Sequence, residues 1–432
     1  MTVKALFAGA CAMMLLAACG EDDIVLPGER FDIRPATATQ NVAAPISLPA
    51  TQTNAAWTHR NGSPAHTIVH PTLGADLTPV FSVPIGEGDS ERARITAEPV
   101  VAGGLIFTLD ARARVTATSQ TGAPVWTRDL TPRRDGADDA SGGGLSFGDG
   151  TLYVTTGYGE LSALDAATGA TIWVQDLDAP AIAPATVRND LVYVVGRDST
   201  AWALDTGNGR IVWRRSGAPS VANFAGSAAP ATRGEYVIFP FPSGQVLATY
   251  PRGGIERWST FVTGERLGST ASLITDIAGD PVISGDRVYI GNFGGRTVAL
   301  ELDTGERLWT AAEGAVGPVW PVAGALFLIN DINQLVRLDA GTGAALWRVA
   351  LPRFEDETET RRQNAVFSHY GPVLAGGRLM VPSSDGVIRA FDPVSGALVG
   401  QTALPGGAAT GAVVAGGTLY VVSKDAQLHA FR

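Results

Sequence analysis

A repeated pattern of Leu-Asp, a glycine-containing turn and a tryptophan runs through most of this chain and constrains its fold more than any other feature. Clear copies lie at Leu164–Trp173, Leu204–Trp213, Leu302–Trp309 and Leu338–Trp347, and weaker copies end at Trp126 and Trp258. Successive tryptophans are 47, 40, 45, 51 and 38 residues apart. Self-similarity at a period of about 20–50 residues indicates a repeat architecture, in which each unit packs against the next.

Each repeat has the composition of several short antiparallel strands. In the unit that ends at Trp213, the turn sequence Arg188-Asn189-Asp190 precedes the β-branched and aromatic run Leu191–Val195. Such alternation of turns with β-rich runs is typical of antiparallel strands. A period of about 40–50 residues has room for four strands of about 5–6 residues. The pattern therefore predicts an all-β protein built from the four-stranded blades of a β-propeller.

The number of units predicts eight blades and a ring closed by the N-terminal part of the chain. Full or partial units begin near residues 97, 143, 182, 227, 280, 317, 371 and 411. The last unit reaches Arg432 without a fourth strand, whereas an isolated strand at Pro79–Val83 precedes the first unit. Phe81 in this strand lies 45 residues before Trp126, which is one period. We expect this strand to complete the last blade and to remove an open sheet edge.

The repeated residues have structural explanations. The aspartate can accept hydrogen bonds from backbone amides of the turn, and the glycine can adopt the positive φ that a tight turn requires. The tryptophan offers a large apolar face to the neighbouring blade, and its indole N–H needs a partner. Equivalent positions around a ring cannot converge on one ligand, so we expect these tryptophans to hold blades together.

The N-terminus has the pattern of an export signal. One positive residue, Lys4, is followed by an apolar run from Ala5 to Ala18, which is too short to span a bilayer. Leu16-Ala17-Ala18-Cys19 resembles the lipobox of bacterial lipoproteins, in which the cysteine becomes the lipid-bearing first residue. Gly20 rather than aspartate after the cysteine resembles the pattern for outer-membrane sorting. We expect a signal peptide at 1–18, lipidation of Cys19, a flexible Pro/Ala/Thr-rich tether at 19–55 and the propeller at 56–432.

The composition excludes several kinds of chemistry. A net charge of −10 argues against nucleic acid as a partner. The two cysteines, Cys11 and Cys19, lie at the N-terminus, so the propeller has no thiol for a disulfide, a metal or catalysis. His59, His66 and His70 lack a cysteine or carboxylate at zinc-site spacing, and we expect them to belong to a loop packed over one face. We therefore expect no catalytic residue, no metal and no cofactor.

The repeat is similar to that of the quinoprotein (PQQ-repeat) family over residues 56–432. One branch of the family, the alcohol and glucose dehydrogenases, binds pyrroloquinoline quinone and calcium in the central channel. Many of these enzymes carry a vicinal cysteine pair, and some carry a Cys-x-x-Cys-His haem site; this chain has neither. A quinoprotein-like enzyme and another type of cell-envelope interaction propeller remain alternative functions.

The other branch comprises the BamB-type lipoproteins of the β-barrel assembly machinery, and here the resemblance includes the lipobox, the tether and the solitary propeller. Strings such as Gly142–Gly159 and Gly371–Leu379 look like the alphaproteobacterial form. Arg266–Pro281 resembles a loop that in this family docks POTRA domains of BamA, and Asn223–Ser227 aligns with a second docking loop. The residues that the resemblance assigns to partner binding are Phe224, Gly226, Arg266, Leu267, Asp276 and Ile277.

The resemblance implies a non-enzymatic scaffold that supports insertion of outer-membrane β-barrel proteins. It would lie at the periplasmic face of the outer membrane as part of the BAM complex. Strand edges of the blades could also pair with an unfolded barrel precursor by β-augmentation. The charged segment at 353–362, before the seventh blade, is most simply a solvated loop, and a partner contact there is the alternative.

Overall fold

The computed structural model describes residues 41–220, 228–264, 266, 276–356 and 365–432. Within these residues the chain forms eight four-stranded antiparallel sheets, which confirms the predicted eight-bladed β-propeller. Among the described residues, the first strand is β1 (Pro79–Pro84). The sheets follow one another along the chain. In blades 1–7 the innermost strand comes first and the outermost strand last, whereas blade 8 takes its outermost strand from the N-terminal side. In the part of the chain that is described, no helix is long and apolar enough to cross a membrane.

The strands of the first four blades have the following bounds. Blade 1 contains β2 (Val100–Ala102), β3 (Leu105–Leu109), β4 (Arg114–Ser119) and β5 (Pro124–Asp129). Blade 2 contains β6 (Gly143–Gly148), β7 (Thr151–Thr156), β8 (Glu160–Asp165) and β9 (Thr171–Asp176). Blade 3 contains β10 (Thr186–Arg188), β11 (Leu191–Val195), β12 (Thr200–Asp205) and β13 (Ile211–Ser216). Blade 4 contains β14 (Ala231–Arg233), β15 (Tyr236–Pro240), β16 (Gln245–Thr249) and β17 (Glu256–Phe261).

The remaining blades follow the same order. Blade 5 contains β18 (Val282–Ser284), β19 (Arg287–Gly291), β20 (Thr297–Glu301) and β21 (Arg307–Ala311). Blade 6 contains β22 (Trp320–Val322), β23 (Ala325–Ile329), β24 (Gln334–Asp339) and β25 (Ala345–Ala350). Blade 7 contains β26 (Val373–Ala375), β27 (Arg378–Pro382), β28 (Val387–Phe391) and β29 (Leu398–Ala403). Blade 8 contains β30 (Val413–Ala415), β31 (Thr418–Val422), β32 (Gln427–Phe431) and, as its outermost strand, β1.

The ring closes as the sequence predicted. Strand β1 pairs antiparallel with β32, and Phe81 lies opposite Ala430. Thr78 and Arg432 extend this pairing, since the N–H of each donates to the carbonyl of the other at 2.9 Å. The aromatic ring of Phe81 contacts Gly122 of blade 1, as the tryptophan rings of other blades contact the next blade. The N-terminal strand therefore both completes the last sheet and packs against the first.

A segment that precedes β1 lies on the axis of the ring, and we call residues 52–72 the hub segment. Its two ends are joined, because Gln52 N–H donates to the His70 carbonyl at 2.8 Å and Thr72 N–H donates to the Gln52 carbonyl at 3.0 Å. It contains the short 3-10 helix η1 (Arg60–Gly62). Within the described chain this segment contacts the innermost strand, or a residue beside it, in all eight blades. A segment that contacts all eight blades at or beside their innermost strands lies at the centre of the ring.

The contacts of the hub segment are mostly hydrogen bonds to backbone groups. In chain order of the blades, they join Trp57 to Val101, Thr58 to Phe147, His59 to Val187, Pro64 to Thr232, Ala65 to Ile283, Asn61 to Val319, Pro71 to Gly376 and Asn54 to Gly416. Trp57 is also stacked on Trp320 of blade 6, with ring centroids 6.3 Å apart. The three histidines of this region donate to or accept from backbone atoms, which agrees with the expected packing loop.

The chain is bound to the propeller earlier than residue 55, where the sequence analysis ended the tether. Val42 N–H donates to the Leu346 carbonyl at 2.9 Å, and the Asn41 side chain bonds both the carbonyl and the N–H of Arg348. Ile46 and Leu48 pack against the apolar core. These contacts gave no signal in the sequence because the residues that make them follow no strand or repeat period. The signal peptide, Cys19 and the rest of the tether lie outside the described residues.

Candidate functional site

The connections between successive blades lie on one face of the ring, which we call the loop face. In an antiparallel blade, the connection from an outermost strand to the next innermost strand emerges on the same side as the turn between the second and third strands. The strands that flank the long connections 217–230, 262–281 and 351–372 therefore end and begin on the loop face. The first two contain the positions that the sequence analysis assigned to a partner. Of these positions, Phe224, Gly226 and Leu267 lie outside the described residues, whereas Arg266, Asp276 and Ile277 are described.

One buried carboxylate joins the two predicted docking loops. Asp280, at the end of the second loop, accepts a hydrogen bond from the N–H of Ala229, at the end of the first. Its other oxygen lies 3.7 Å from Nη1 of Arg60 in the hub segment, and the same guanidinium nitrogen lies 3.5 Å from Glu98. Burial raises the pKa of Glu98, although Arg60 opposes this effect. Asp280 thus fixes the bases of both loops to each other and to the centre of the ring.

Arg266 is paired within the chain. Its Nε lies 2.7 Å from Oδ2 of Asp331, and its Nη2 lies 2.8 Å from Oδ1 of the same carboxylate. Glu313 lies 3.4 Å from Nη2 and also accepts from Arg348 Nε at 2.7 Å. Hydrogen bonding to Asp331 holds the pKa of Arg266 above its ordinary value. Arg266, which the resemblance assigned to partner binding, therefore fixes the second loop to blade 6 within the chain.

Asp276 and Ile277 lie inside the fold. Ile277 is 3% exposed and belongs to the apolar cluster that contains Ile283 and Ile290 of blade 5. Asp276 is also 3% exposed, and its carbonyl accepts from the N–H of Phe293 at 3.0 Å. In this conformation both residues seat the end of the second loop on blade 5. A hydrophobic residue next to an aspartate in a loop gives no sequence signal that distinguishes such an internal contact from an exposed one.

A cavity of about 570 Å³ lies on the loop face. Its lining combines charged groups, including Arg60, Glu98 and Lys424, with apolar residues such as Ile182 and Tyr370. Burial raises the pKa of Tyr370 to about 12, so its hydroxyl is neutral at physiological pH. No sequence pattern indicates this cavity, because its lining comes from the hub segment and from several separate connections. No three His, Cys, Asp or Glu side chains among the described residues are placed to hold a metal ion.

Comparison with known proteins places the chain in a family. The family model described as outer membrane protein assembly factor BamB matches residues 111–349 and 333–432. The BamB of Yersinia pestis is 23% identical over 360 residues, which are 82% of this chain and 88% of that protein. An uncharacterized protein of Rickettsia prowazekii is 28% identical over 258 residues, which are 58% of this chain and 61% of that protein. The Rickettsia similarity agrees with the predicted alphaproteobacterial form.

Solved structures match the fold. BamB from Moraxella catarrhalis has a TM-score of 0.67 and 20% identity, over 83% of this chain and 100% of that one. A europium-containing methanol dehydrogenase has a TM-score of 0.66 and 15% identity, over 85% of this chain and 89% of that one. At these identities the similarity shows the shared propeller and nothing about activity. Since the family model matches well over half of its residues, this chain belongs to the BamB family of outer membrane protein assembly factors.

Proposed function

We propose that this protein is a non-enzymatic scaffold of the β-barrel assembly machinery that docks POTRA domains of BamA with its loop face. Lipidation at Cys19 would hold it at the periplasmic side of the outer membrane. In this role the rigid ring presents two loops to the partner and positions the partner next to the membrane. The proposal rests on membership of the BamB family and on the geometry of the loop face.

The contact between Ala229 and Asp280 carries the proposal. The two loops that the resemblance assigns to BamA are separated in sequence by blade 4, yet this hydrogen bond brings their bases together. Two loops that leave the ring side by side can form one continuous docking surface. Arg266 supports the same surface from its other end, since its ion pair with Asp331 fixes the second loop to blade 6.

The quinoprotein-like alternative has weaker support. Its basis is similarity of fold at 15% identity to the methanol dehydrogenase. In this chain the hub segment lies at the centre of the ring, and most of its hydrogen bonds are with the protein's own backbone. The geometry at the centre thus explains the hub residues as structural, and the loop face remains the better candidate for function.

A binding measurement with purified BamA POTRA domains tests the proposal. The double variant Phe224→Ala/Leu267→Ala removes two large apolar side chains from the predicted loops, and we expect its affinity to fall at least tenfold. Asp276 and Ile277 are unsuitable for this test because they are buried. The matched control, Val125→Ala/Ile255→Ala, removes two exposed apolar side chains from outside the loop face and should bind normally. Wild-type affinity of the loop variant would contradict this docking mode.

A further inference from the structure

Blade 7 lacks the aromatic side chain that the other blades carry on their outermost strand. Gly400 of β29 lies opposite Ala390, in the register position that Trp213 occupies opposite Ala203 in blade 3. Among the eight outermost strands that the structure describes, six have tryptophan here, β1 has Phe81 and β29 has glycine. The repeat therefore leaves one aromatic position of the ring empty.

A cavity of about 200 Å³ lies beside Gly400. The cavity is partly open to solvent. Leu77, Met380, Ala390 and Val399 form its apolar wall, and the polar side chains of Asp76, Arg378, Gln401 and Thr402 line the rest. A Cβ added at Gly400 would meet a single atom within 4 Å, the Cβ of Ala390 at 3.6 Å, which is an ordinary contact distance. A volume on the order of 150 Å³ is enough to hold benzene in another protein. The space at Gly400 is thus of the size that an aromatic ring requires.

Arg378 gives this cavity a preference for an aromatic guest. Its guanidinium lines the cavity and donates to the carbonyls of Gly74 and Ala75, in the turn next to the last blade. In blades 1–5 the indole N–H of the tryptophan donates to the equivalent turn, as Trp213 does to the carbonyl of Pro251 at 2.9 Å. Arg378 therefore replaces the polar contact of the missing indole but leaves the space of its ring open. A guanidinium next to an aromatic ring adds a favourable cation–π contact.

The edge of β29 is open for an additional strand. Leu398 and Val399 are about half exposed, at 49% and 55%. No backbone hydrogen bond joins this edge to another strand within the described residues. On the neighbouring blade 6, an extended part of this chain already binds to the outermost strand, β25. Val42 N–H donates to the Leu346 carbonyl at 2.9 Å, and the Asn41 side chain donates to the carbonyl of Arg348 and accepts from its N–H. An extended segment can thus pair with an outermost strand of this propeller.

We propose that β29 binds an extended peptide strand by β-augmentation and that the cavity at Gly400 receives an aromatic side chain of that strand. Strands of unfolded outer-membrane barrels have this chemistry, because they alternate apolar and polar residues and carry aromatic residues at the membrane interfaces. The inference builds on the proposed function and names a substrate class for it. It uses the outer rim of blade 7 rather than the loop face.

The test measures binding of a fluorescent peptide to the mature lipoprotein in detergent. The peptide has about ten residues of alternating Val and Thr with one central Trp, and a second peptide has Ala in place of the Trp. Gly400→Trp restores the repeat and fills the cavity, so we expect the Trp peptide to bind at least tenfold more weakly. Gly400→Ala leaves most of the cavity open and should bind as the wild type does. The Ala peptide should bind weakly to all three proteins.

Three outcomes would overturn the inference: equal binding of the Trp peptide by wild type and Gly400→Trp, equal binding of both peptides, or binding that appears only after residues 20–40 are removed. The last result would assign the cavity to this chain's own N-terminal segment. Val399→Asp provides a second variant at an exposed position if Gly400→Trp does not fold, and it should also weaken binding. Retained capture of BamA by Gly400→Trp separates this inference from the proposed docking on the loop face.

Discussion

Gly254 lies against the indole ring of Trp213, although the two residues belong to neighbouring blades. A Cβ at residue 254 would lie 2.6 Å from Cδ2 of the ring, closer than real Cβ contacts allow. The Trp213 N–H donates to Pro251 in the same turn at 2.9 Å. Equivalent glycine and aromatic pairs are Gly122 with Phe81, Gly169 with Trp126, Gly209 with Trp173, Gly305 with Trp258, Gly343 with Trp309 and Gly396 with Trp347. The two most recurrent residues of the repeat therefore form one contact between blades.

Replacing Gly254 by alanine should destabilise the ring more than the backbone conformation alone requires. Gly234 is the matched control in the same blade, because it has the same φ of +60° and nothing within 4 Å of an added Cβ. We expect Gly234→Ala to lower the free energy of unfolding by about 1–2 kcal/mol through left-handed strain. Gly254→Ala should cost a further ~1–3 kcal/mol through overpacking against Trp213. Urea unfolding measures both values, and equal losses would contradict the packing role.

Ring closure should depend on Phe81 and not on its neighbour Val80. Phe81 contacts Gly122 of blade 1 and lies 6.4 Å from Tyr420, centroid to centroid, whereas Val80 is 50% exposed. Phe81→Ala should lower the free energy of unfolding by about 2–3 kcal/mol, somewhat less than for a fully buried phenylalanine. Val80→Ala should change it by less than about 0.5 kcal/mol. Thermal melts of the two variants check this, and a normal melt for Phe81→Ala would show that its side chain does not stabilise the closure.

The protein should lose stability on acidification through His59. Burial, with a contribution from His66, lowers the pKa of His59 from 6.5 to about 3. A histidine whose pKa is lower in the folded than in the unfolded state favours the folded protein, and its contribution to the free energy of unfolding is complete above pH 6.5. This contribution is lost as the pH falls from 6.5 toward 3. Between pH 7.5 and pH 5 the loss from His59 amounts to about 2 kcal/mol, at about 1.4 kcal/mol per pKa unit.

The variant His59→Gln tests this pH dependence. Glutamine can still accept the hydrogen bond that Val187 N–H donates to His59 Nε2 at 3.0 Å, but it does not titrate. Urea unfolding at a series of pH values should therefore show a smaller decline for the variant than for the wild type. Superimposable declines would show that another group controls the acid sensitivity.

Removal of the Asp280 carboxylate should loosen both predicted docking loops at once. Asp280→Ala deprives the Ala229 N–H of its acceptor and Arg60 of one counter-ion, so we expect a loss of about 2–3 kcal/mol in the free energy of unfolding. The control is Asp286→Ala in the same blade, where the carboxylate is 91% exposed and its removal should have little effect. Affinity for BamA POTRA domains should fall for Asp280→Ala alone. Unchanged stability and affinity would remove Asp280 from the docking surface.

Membrane attachment should depend on one of the two cysteines. Cys19→Ser should abolish acyl labelling with palmitate and move the protein from the membrane fraction to the soluble fraction, since a hydroxyl replaces the predicted lipid-bearing thiol. Cys11→Ser lies within the predicted signal peptide and should leave both properties unchanged. Fractionation of cells that express each variant is sufficient for the test. Continued labelling of Cys19→Ser would exclude this residue as the lipid site.

The fold was predictable because its interactions repeat. The Leu-Asp, Gly and Trp spacing indicated the blades, their number and the role of Phe81 in β1, and each of these features is present. The hub segment was not predictable, because most of its hydrogen bonds join backbone groups and leave no periodic pattern. The pairing of Arg266 with Asp331 was missed for a related reason, since the two residues are 65 positions apart and belong to no repeat. Sequence therefore revealed the blades better than the elements that connect them.

The hub segment also sets an order of events during biosynthesis. A ribosome synthesises residues 52–84 long before it reaches β30 and β32. In the folded protein, however, the hub segment bonds a backbone group next to β30, and strand β1 pairs with β32. The earliest part of the propeller to emerge must consequently wait, without its final partners, until the last residues have been translated. Its native position becomes available only when synthesis of the chain is complete.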